Sequence, residues 1–126
     1  LEGKPITIYG DGNQTRSFCY VTDLVDGLFR LLRSNEVMPV NIGNPSERTI
    51  RDLVKAVEAI LGHPLQIVSM PLPQDDPRVR QPDISRARTI LGWEPKVDLT
   101  AGLAETLAYY RTVTKARTEA LPCGSW

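Results

Sequence analysis

Four side chains carry the chemistry that this sequence offers: Tyr9, Gln14, Arg16 and Arg80. Arg16 follows the apolar run Ile6-Thr7-Ile8-Tyr9 and the turn Gly10-Asp11-Gly12-Asn13, and it lies close to Phe18. Arginine supplies a planar fork of donors matched to phosphate or carboxylate. Glycine permits positive φ and lets a ligand approach the backbone closely. Tyr9 offers a face on which a nucleobase can stack. A strand, a glycine turn and an arginine in that order read as one wall of an anion-binding pocket. A surface turn with Arg16 paired to an acid fits the same spacing.

The second cationic stretch is Asp75-Asp76-Pro77-Arg78-Val79-Arg80-Gln81-Pro82-Asp83. Its prolines hold the chain extended, so Arg78 and Arg80 point to opposite sides. Two readings stand: Arg80 meets the same anion as Arg16, or the stretch is a solvated charged loop. Asn41-Ile42-Gly43-Asn44 is either a strand end bordering a pocket, as in α/β folds, or a plain turn. Trp93 is read as a packing corner with Gly92 and Pro95, and Tyr109-Tyr110 as packing on the last helix. Asp75-Asp76 has no histidine or third acid at ligand spacing, so no metal site is expected. The sequence contains no Gly-x-Gly-x-x-Gly, no Gly-x-x-x-x-Gly-Lys and no Tyr-x-x-x-Lys, and no nucleophile stands beside a base. No catalytic or cofactor-binding residue is therefore expected in this chain.

The elements that position these residues alternate in type. Ile6 to Tyr9 reads as a strand, and Phe18 to Val21 as a second, very short one. A helix follows from Thr22, its expected cap, with Asp23 in the first turn and Leu24, Leu28, Leu31 and Leu32 on one face. Gly27 is small enough for close packing. Val40 to Ile42 is a brief strand, closed by Asn44-Pro45-Ser46. Thr49 and Asp52 form a capping-box-like start to a helix striped by Ile50, Leu53, Val54, Val57, Ile60 and Leu61, with Gly62 and Pro64 ending it. His63 is a solvated turn residue. Leu65 to Met70 is a strand and Pro71 through Pro82 an extended loop. Asp83 or Ser85 caps a short helix ending at Leu91-Gly92. The last helix runs from about Thr100 to Thr114, with Leu99, Leu103, Leu107 and Tyr110 inward, and Ala120 to Trp126 has no pattern.

A chain of 126 residues is one domain's worth, and its 41% hydrophobic content is ordinary. Fifteen basic and fifteen acidic residues cancel, so no net field favours nucleic acid or an anionic membrane. No apolar run approaches the roughly 20 residues of a membrane helix. Cys19 and Cys123 have unlike contexts and no metal spacing, which favours free thiols and a reducing cytoplasm over a disulfide. Leu1-Glu2-Gly3 reads as the end of a helix already under way, with Gly3 its C-cap, so a longer parent chain is expected. The fold class is α/β. Val40 to Ile42 looks like a strand short of a neighbour, and self-association through that exposed edge, by strand pairing or helix exchange, is expected.

In order along the chain, Pro5 to Phe18, Tyr20-Val21-Thr22-Asp23-Leu24-Val25, Val40 to Pro45, Asp75 to Ile84 and Leu91-Gly92-Trp93-Glu94-Pro95 resemble a known series. It is that of the extended short-chain dehydrogenases/reductases acting on nucleotide sugars. Gln14-Thr15-Arg16 together with Asp75-Asp76-Pro77 is most similar to the branch of UDP-glucuronate decarboxylases. The resemblance covers about Leu1 to Arg111, and residues 112–126 form a tail outside it. It implies the C-terminal, substrate-domain portion of an extended Rossmann-type enzyme: short strands with about four helices, without the dinucleotide-binding half. It also implies that Ile6 to Tyr9 lies beside Leu65 to Met70 in a small parallel pair. By resemblance, Arg16 and Arg80 contact the nucleotide diphosphate or ribose of a UDP-sugar, and Tyr9 and Gln14 lie around the nucleotide. The family reaction oxidises sugar C4 with bound NAD⁺, releases CO₂ from the β-keto acid and reduces the product with the NADH formed. NAD would belong to the intact parent, and this chain alone is expected to bind none and to be inert. Two alternatives remain: a stand-alone binding or interaction module, and part of a nucleotide-sugar 4,6-dehydratase or 4-epimerase.

Overall fold

The computed structural model describes residues 1–119 except 2, 75, 76 and 78. Arg78, the Asp75-Asp76 pair, Cys123 and the stretch Ala120 to Trp126 thus lie outside the described residues. Strand β1, Ile6–Tyr9, forms where β-branched residues run between Pro5 and Gly10. The glycine turn leads into strand β2, Thr15–Ser17, and then into helix α1, Val21–Leu32. Strand β3, Glu47–Thr49, runs directly into helix α2, Ile50–Leu61. Strand β4, Ile67–Met70, precedes the proline loop, helix α3, Ser85–Leu91, and helix α4, Leu99–Glu119.

The strands make two small sheets. β1 and β4 pair in parallel from Ile6 opposite Ile67 to Tyr9 opposite Met70, as the resemblance implied. β2 and β3 pair antiparallel, with Thr15 opposite Thr49, Arg16 opposite Arg48 and Ser17 opposite Glu47. The Thr15 hydroxyl donates to the Glu47 carboxylate at 2.6 Å and ties that ribbon together.

The strand expected at Phe18 to Val21 forms instead at Thr15–Ser17, because the β3 partner reaches only that far. Val21, one residue ahead of the expected cap, starts α1, so Thr22 lies inside the helix and no side chain caps it. Asp23 stands in the first turn, as expected, and is also drawn into the core. It is 8% exposed, and its Oδ2 accepts the backbone N–H groups of Lys96 and Val97 at 2.9 and 2.8 Å.

The core gathers at the corner set by Trp93, which is 1% exposed and packs with Ile84 and Ala87. Its indole N–H donates to the Asp23 carbonyl at 3.0 Å. Val40 and Ile42 pack against this cluster. Among the described residues they form no strand, because Asn41 spends its amide on the Asp83 carbonyl and the apolar flanks turn onto tryptophan. The expected edge at Val40 to Ile42 is therefore not a strand edge.

Helix α2 has the expected capping box, Thr49 with Asp52, and ends at Gly62, where φ is +77°. Asp83 accepts the backbone N–H and the hydroxyl of Ser85 at the start of α3. Helix α4 begins where Asp98 accepts the Ala101 N–H, and it continues past position 112. Tyr109 and Tyr110 form an edge-to-face pair with ring centres 5.3 Å apart, but both are exposed. They are not core packing, and Tyr110 is not inward. His63 is exposed in its turn, as expected.

Candidate functional site

The wall begins at the end of β1. Gly10 and Gly12 both take positive φ, +70° and +75°. At Gly12 the close approach is real: a Cβ would sit 3.0 Å from Arg51 Cγ and 3.2 Å from Ile8 Cγ2. Between the glycines, Asp11 accepts the backbone and side-chain N–H groups of Asn13 at 2.9 and 2.8 Å. Those donors hold its carboxyl below the ordinary aspartate value. The Arg51 backbone N–H donates to the Gly12 carbonyl and its Nε to the Asp11 carbonyl, fastening the turn to α2.

Gln14 folds back so that its Nε2 donates to the Tyr9 carbonyl at 2.7 Å. Tyr9 and Gln14 are thereby brought together, with half of the tyrosine side exposed. Arg16 lies on β2, half-buried, and its Nη1 donates to the carbonyls of Thr15 and Pro77 at 2.7 and 2.8 Å. The Ser17 hydroxyl donates to the Arg80 carbonyl at 2.9 Å. The loop carrying Arg80 therefore runs alongside the strand carrying Arg16, although more than sixty residues separate the partners in each bond. Arg80 itself is exposed.

Three contacts hold the far side of the same loop. Gln81 Nε2 donates to the Pro45 carbonyl at 2.8 Å, and Asn41 Nδ2 to the Asp83 carbonyl at 3.1 Å. A Cβ on Gly43 would stand 3.1 Å from Pro82 Cγ. The stretch from Asn41 to Asn44 thus serves as backing for the arginine loop. Ser17 and Gln81 were missed by sequence reasoning, since neither type nor spacing marks a residue whose partner is a distant carbonyl. Arg48, opposite Arg16, was missed because a three-residue strand shows no alternation.

Chemically, the edge presents cationic donors beside an aromatic face. It joins a guanidinium fixed by two carbonyls to a second arginine on a pinned loop, beside an aromatic face. Among the described residues no group of three histidine, cysteine or acidic side chains could hold a metal ion. Nor is any described helix long and apolar enough to cross a membrane. Cys19 is half-buried near Asp23, and burial pushes its thiol above the ordinary cysteine value, the opposite of an activated nucleophile. The strand–Gly-x-Gly turn leads into β2 rather than a helix, so it lacks the helix N-terminus on which a dinucleotide's pyrophosphate rests.

Residues 1–106 match the family model described as GDP-mannose 4,6 dehydratase. The chain belongs to that family. UDP-glucuronic acid decarboxylase 3 of Arabidopsis thaliana is 50% identical over 103 residues, which are 82% of this chain and 30% of that protein. UDP-glucuronic acid decarboxylase 1 of Danio rerio is 46% identical over 110 residues, 87% of this chain and 26% of that one. The chain thus spans less than a third of the length of these curated relatives. Among solved structures, UDP-glucuronic acid 4-epimerase from Bacillus cereus, in complex with UDP-glucuronic acid and NAD, superposes with a TM-score of 0.83 and 32% identity. The match covers 89% of this chain and 37% of that one. UDP-glucose 4-epimerase from Thermotoga maritima, with UDP-glucose, gives 0.83 and 33% over 89% and 36% of the two chains. The four helices and short strands therefore match part of a Rossmann-like epimerase/dehydratase fold, and the GDP-mannose 4,6 dehydratase family assignment agrees with the motif series read from the sequence.

Proposed function

We propose that residues 1–111 form the nucleotide-sugar-binding portion of a UDP-glucuronate decarboxylase-like enzyme. Arg16 and Arg80 grip the diphosphate or ribose, and Tyr9 and Gln14 border the nucleotide. The observation that carries this reading is the double stitch, Arg16 to the Pro77 carbonyl and Ser17 to the Arg80 carbonyl, which runs the segment carrying Arg80 beside the strand carrying Arg16. Identity of 50% to a decarboxylase, against 32–33% to the two 4-epimerases, supports the decarboxylating branch over its siblings. In this reading the parent is a cytoplasmic lyase that uses NAD.

The described residues do not fit a dinucleotide, so no hydride step is assigned to them. This chain contributes binding and orientation only, and alone it turns nothing over. A stand-alone module would have replaced apolar surfaces that face nothing. Val21, Val25, Leu28, Phe29 and Leu32 on α1 are each more than half exposed, which favours a portion of something larger. Without that larger partner, the same surface is proposed to drive self-association.

Titrating the chain with UDP and UDP-glucuronate while following backbone amides tests the assignment. Shifts are expected along Tyr9–Ser17 and 79–81, with weak affinity, since half a pocket lacks the opposite wall's contacts. Arg16→Ala should weaken binding by about tenfold, the scale of one charge-assisted bond. Tight NAD⁺ binding by this chain, or UDP shifts that ignore Arg16→Ala, would overturn the reading.

A further inference from the structure

A second cleft, of about 260 Å³, opens between the β2–β3 ribbon and the connector from Pro95 to Leu99. Neither Arg16 nor Arg80 lines it. Its walls carry Arg48 and Lys96, with Asn44 and Ser46 as neutral polar groups and Phe18 and Leu99 as an apolar side. Among the described residues, no hydrogen bond or ion pair engages the Arg48 guanidinium or the Lys96 ammonium.

The acids nearby accept backbone N–H groups and pair with neither cation. Asp98, on the same wall, accepts the Ala101 N–H and starts α4. Asp52 is tied to Thr49 in the capping box, with Arg48 acting on it only as a weaker charge. The main chain beneath both cations is fixed. The buried Asp23 carboxylate grips the backbone N–H of Lys96 and that of Val97. Register sets Arg48 directly across from Arg16, and like charges opposed on antiparallel strands repel. Arg16 is drawn away to the carbonyls of Thr15 and Pro77, which leaves Arg48 to the cleft. Two cations that no ion pair engages, against one carboxylate on the same wall, leave the cleft an excess of positive charge beside an apolar side, which suits an amphipathic anion.

We propose that this cleft is a second anion site, separate from the Arg16–Arg80 edge, for a small organic phosphate or carboxylate. Its anionic head lies on Arg48 and Lys96 and its apolar body lies against Phe18 and Leu99. The inference does not depend on the nucleotide-sugar reading.

The test follows amide and Arg Nε–H shifts of the full chain during titration with phenyl phosphate, inorganic phosphate and benzoate. Phenyl phosphate should shift Ser46, Arg48, Lys96 and Leu99 with a Kd on the order of 1 mM, and inorganic phosphate should bind about fivefold more weakly for want of an apolar body. Benzoate binding at the same residues assigns the head group as a carboxylate and supports the site equally. The exposed double variant Arg48→Ala with Lys96→Ala should lose at least about tenfold, while Lys55→Ala, outside the cleft, stays as the parent. Unchanged affinity in the double variant overturns the site. So do shifts confined to Tyr9–Ser17 and 79–81, an outcome that leaves the nucleotide-sugar reading standing.

Discussion

On its inner side, α1 meets the Trp93 corner at Gly27, so closely that a Cβ there would stand 2.5 Å from Ile42 Cγ2 and 3.0 Å from the indole ring. On its outer side, Val21, Val25 and Leu28 are more than half exposed, and Leu32 is 81% exposed. One helix thus has a face packed to the limit and a face left more than half open. The inner face is closed by hydrogen bonds that leave no side-chain polar atom orphaned among the described buried ones. The outer face carries apolar residues at positions 21, 25, 28 and 32, a seam spaced for another element. What holds this chain together is the corner, and what it presents outward on α1 is an apolar seam.

The largest effect should come from breaking the finished face. Trp93→Ala removes the one large side chain under 2% exposed among the described residues, and with it the indole bond to the Asp23 carbonyl. A loss of about 3–5 kcal/mol is expected in denaturant unfolding. Since small domains have only about 5–15 kcal/mol in total, much of the chain would be unfolded in water. A loss under about 1 kcal/mol would show that the corner is not the organising contact.

How legible these features were in sequence follows from how local their causes are. Helix α2 could be read whole, because Thr49, Asp52, the apolar stripe and Gly62 act within a few residues of one another. The β1–β4 pair lay beyond local patterns, since its strands are about sixty residues apart, and it was expected through family resemblance alone. Val40 to Ile42 was misread as a strand because an apolar run does not say whether it will pair or pack. Asp23 was placed in the first turn of its helix, but nothing near it in sequence announces Lys96 and Val97. At the candidate site, Arg16 and Arg80 were singled out by type, but the Ser17 and Gln81 bonds that align them were invisible. Their acceptors are main-chain carbonyls, which every residue possesses.

An intermediate effect belongs to the start of α2, where a single local motif is at stake. Thr49→Ala should cost about 1 kcal/mol, the usual worth of an N-cap. The Asp52 carboxyl is held below its ordinary value, first by the Thr49 side chain and then by its backbone N–H. A depressed folded pKa gives stability that is present above the unfolded value, about 3.9, and is lost as pH falls through the folded one. The penalty of Asp52→Asn at neutral pH should therefore fade on acidification below about pH 4. Unfolding curves of both proteins between pH 2 and 7 check this, and a penalty independent of pH would show that the charge contributes nothing.

The smallest effect on stability should come from the unfinished face, and it is the sharpest test of the comparison. Val25→Gln with Leu32→Gln replaces exposed apolar groups by a good helix former of similar length. If nothing covers this side, each change should move the unfolding midpoint by no more than about 0.5 kcal/mol. Self-association should respond in the opposite proportion, because apolar area is what an added copy would bury. Light scattering across a concentration series is expected to show the parent associating and the double variant remaining monomeric. A parent that stays monomeric at high concentration removes the proposed self-association. A double variant as destabilised as Trp93→Ala would mean that the two faces of α1 do not differ after all.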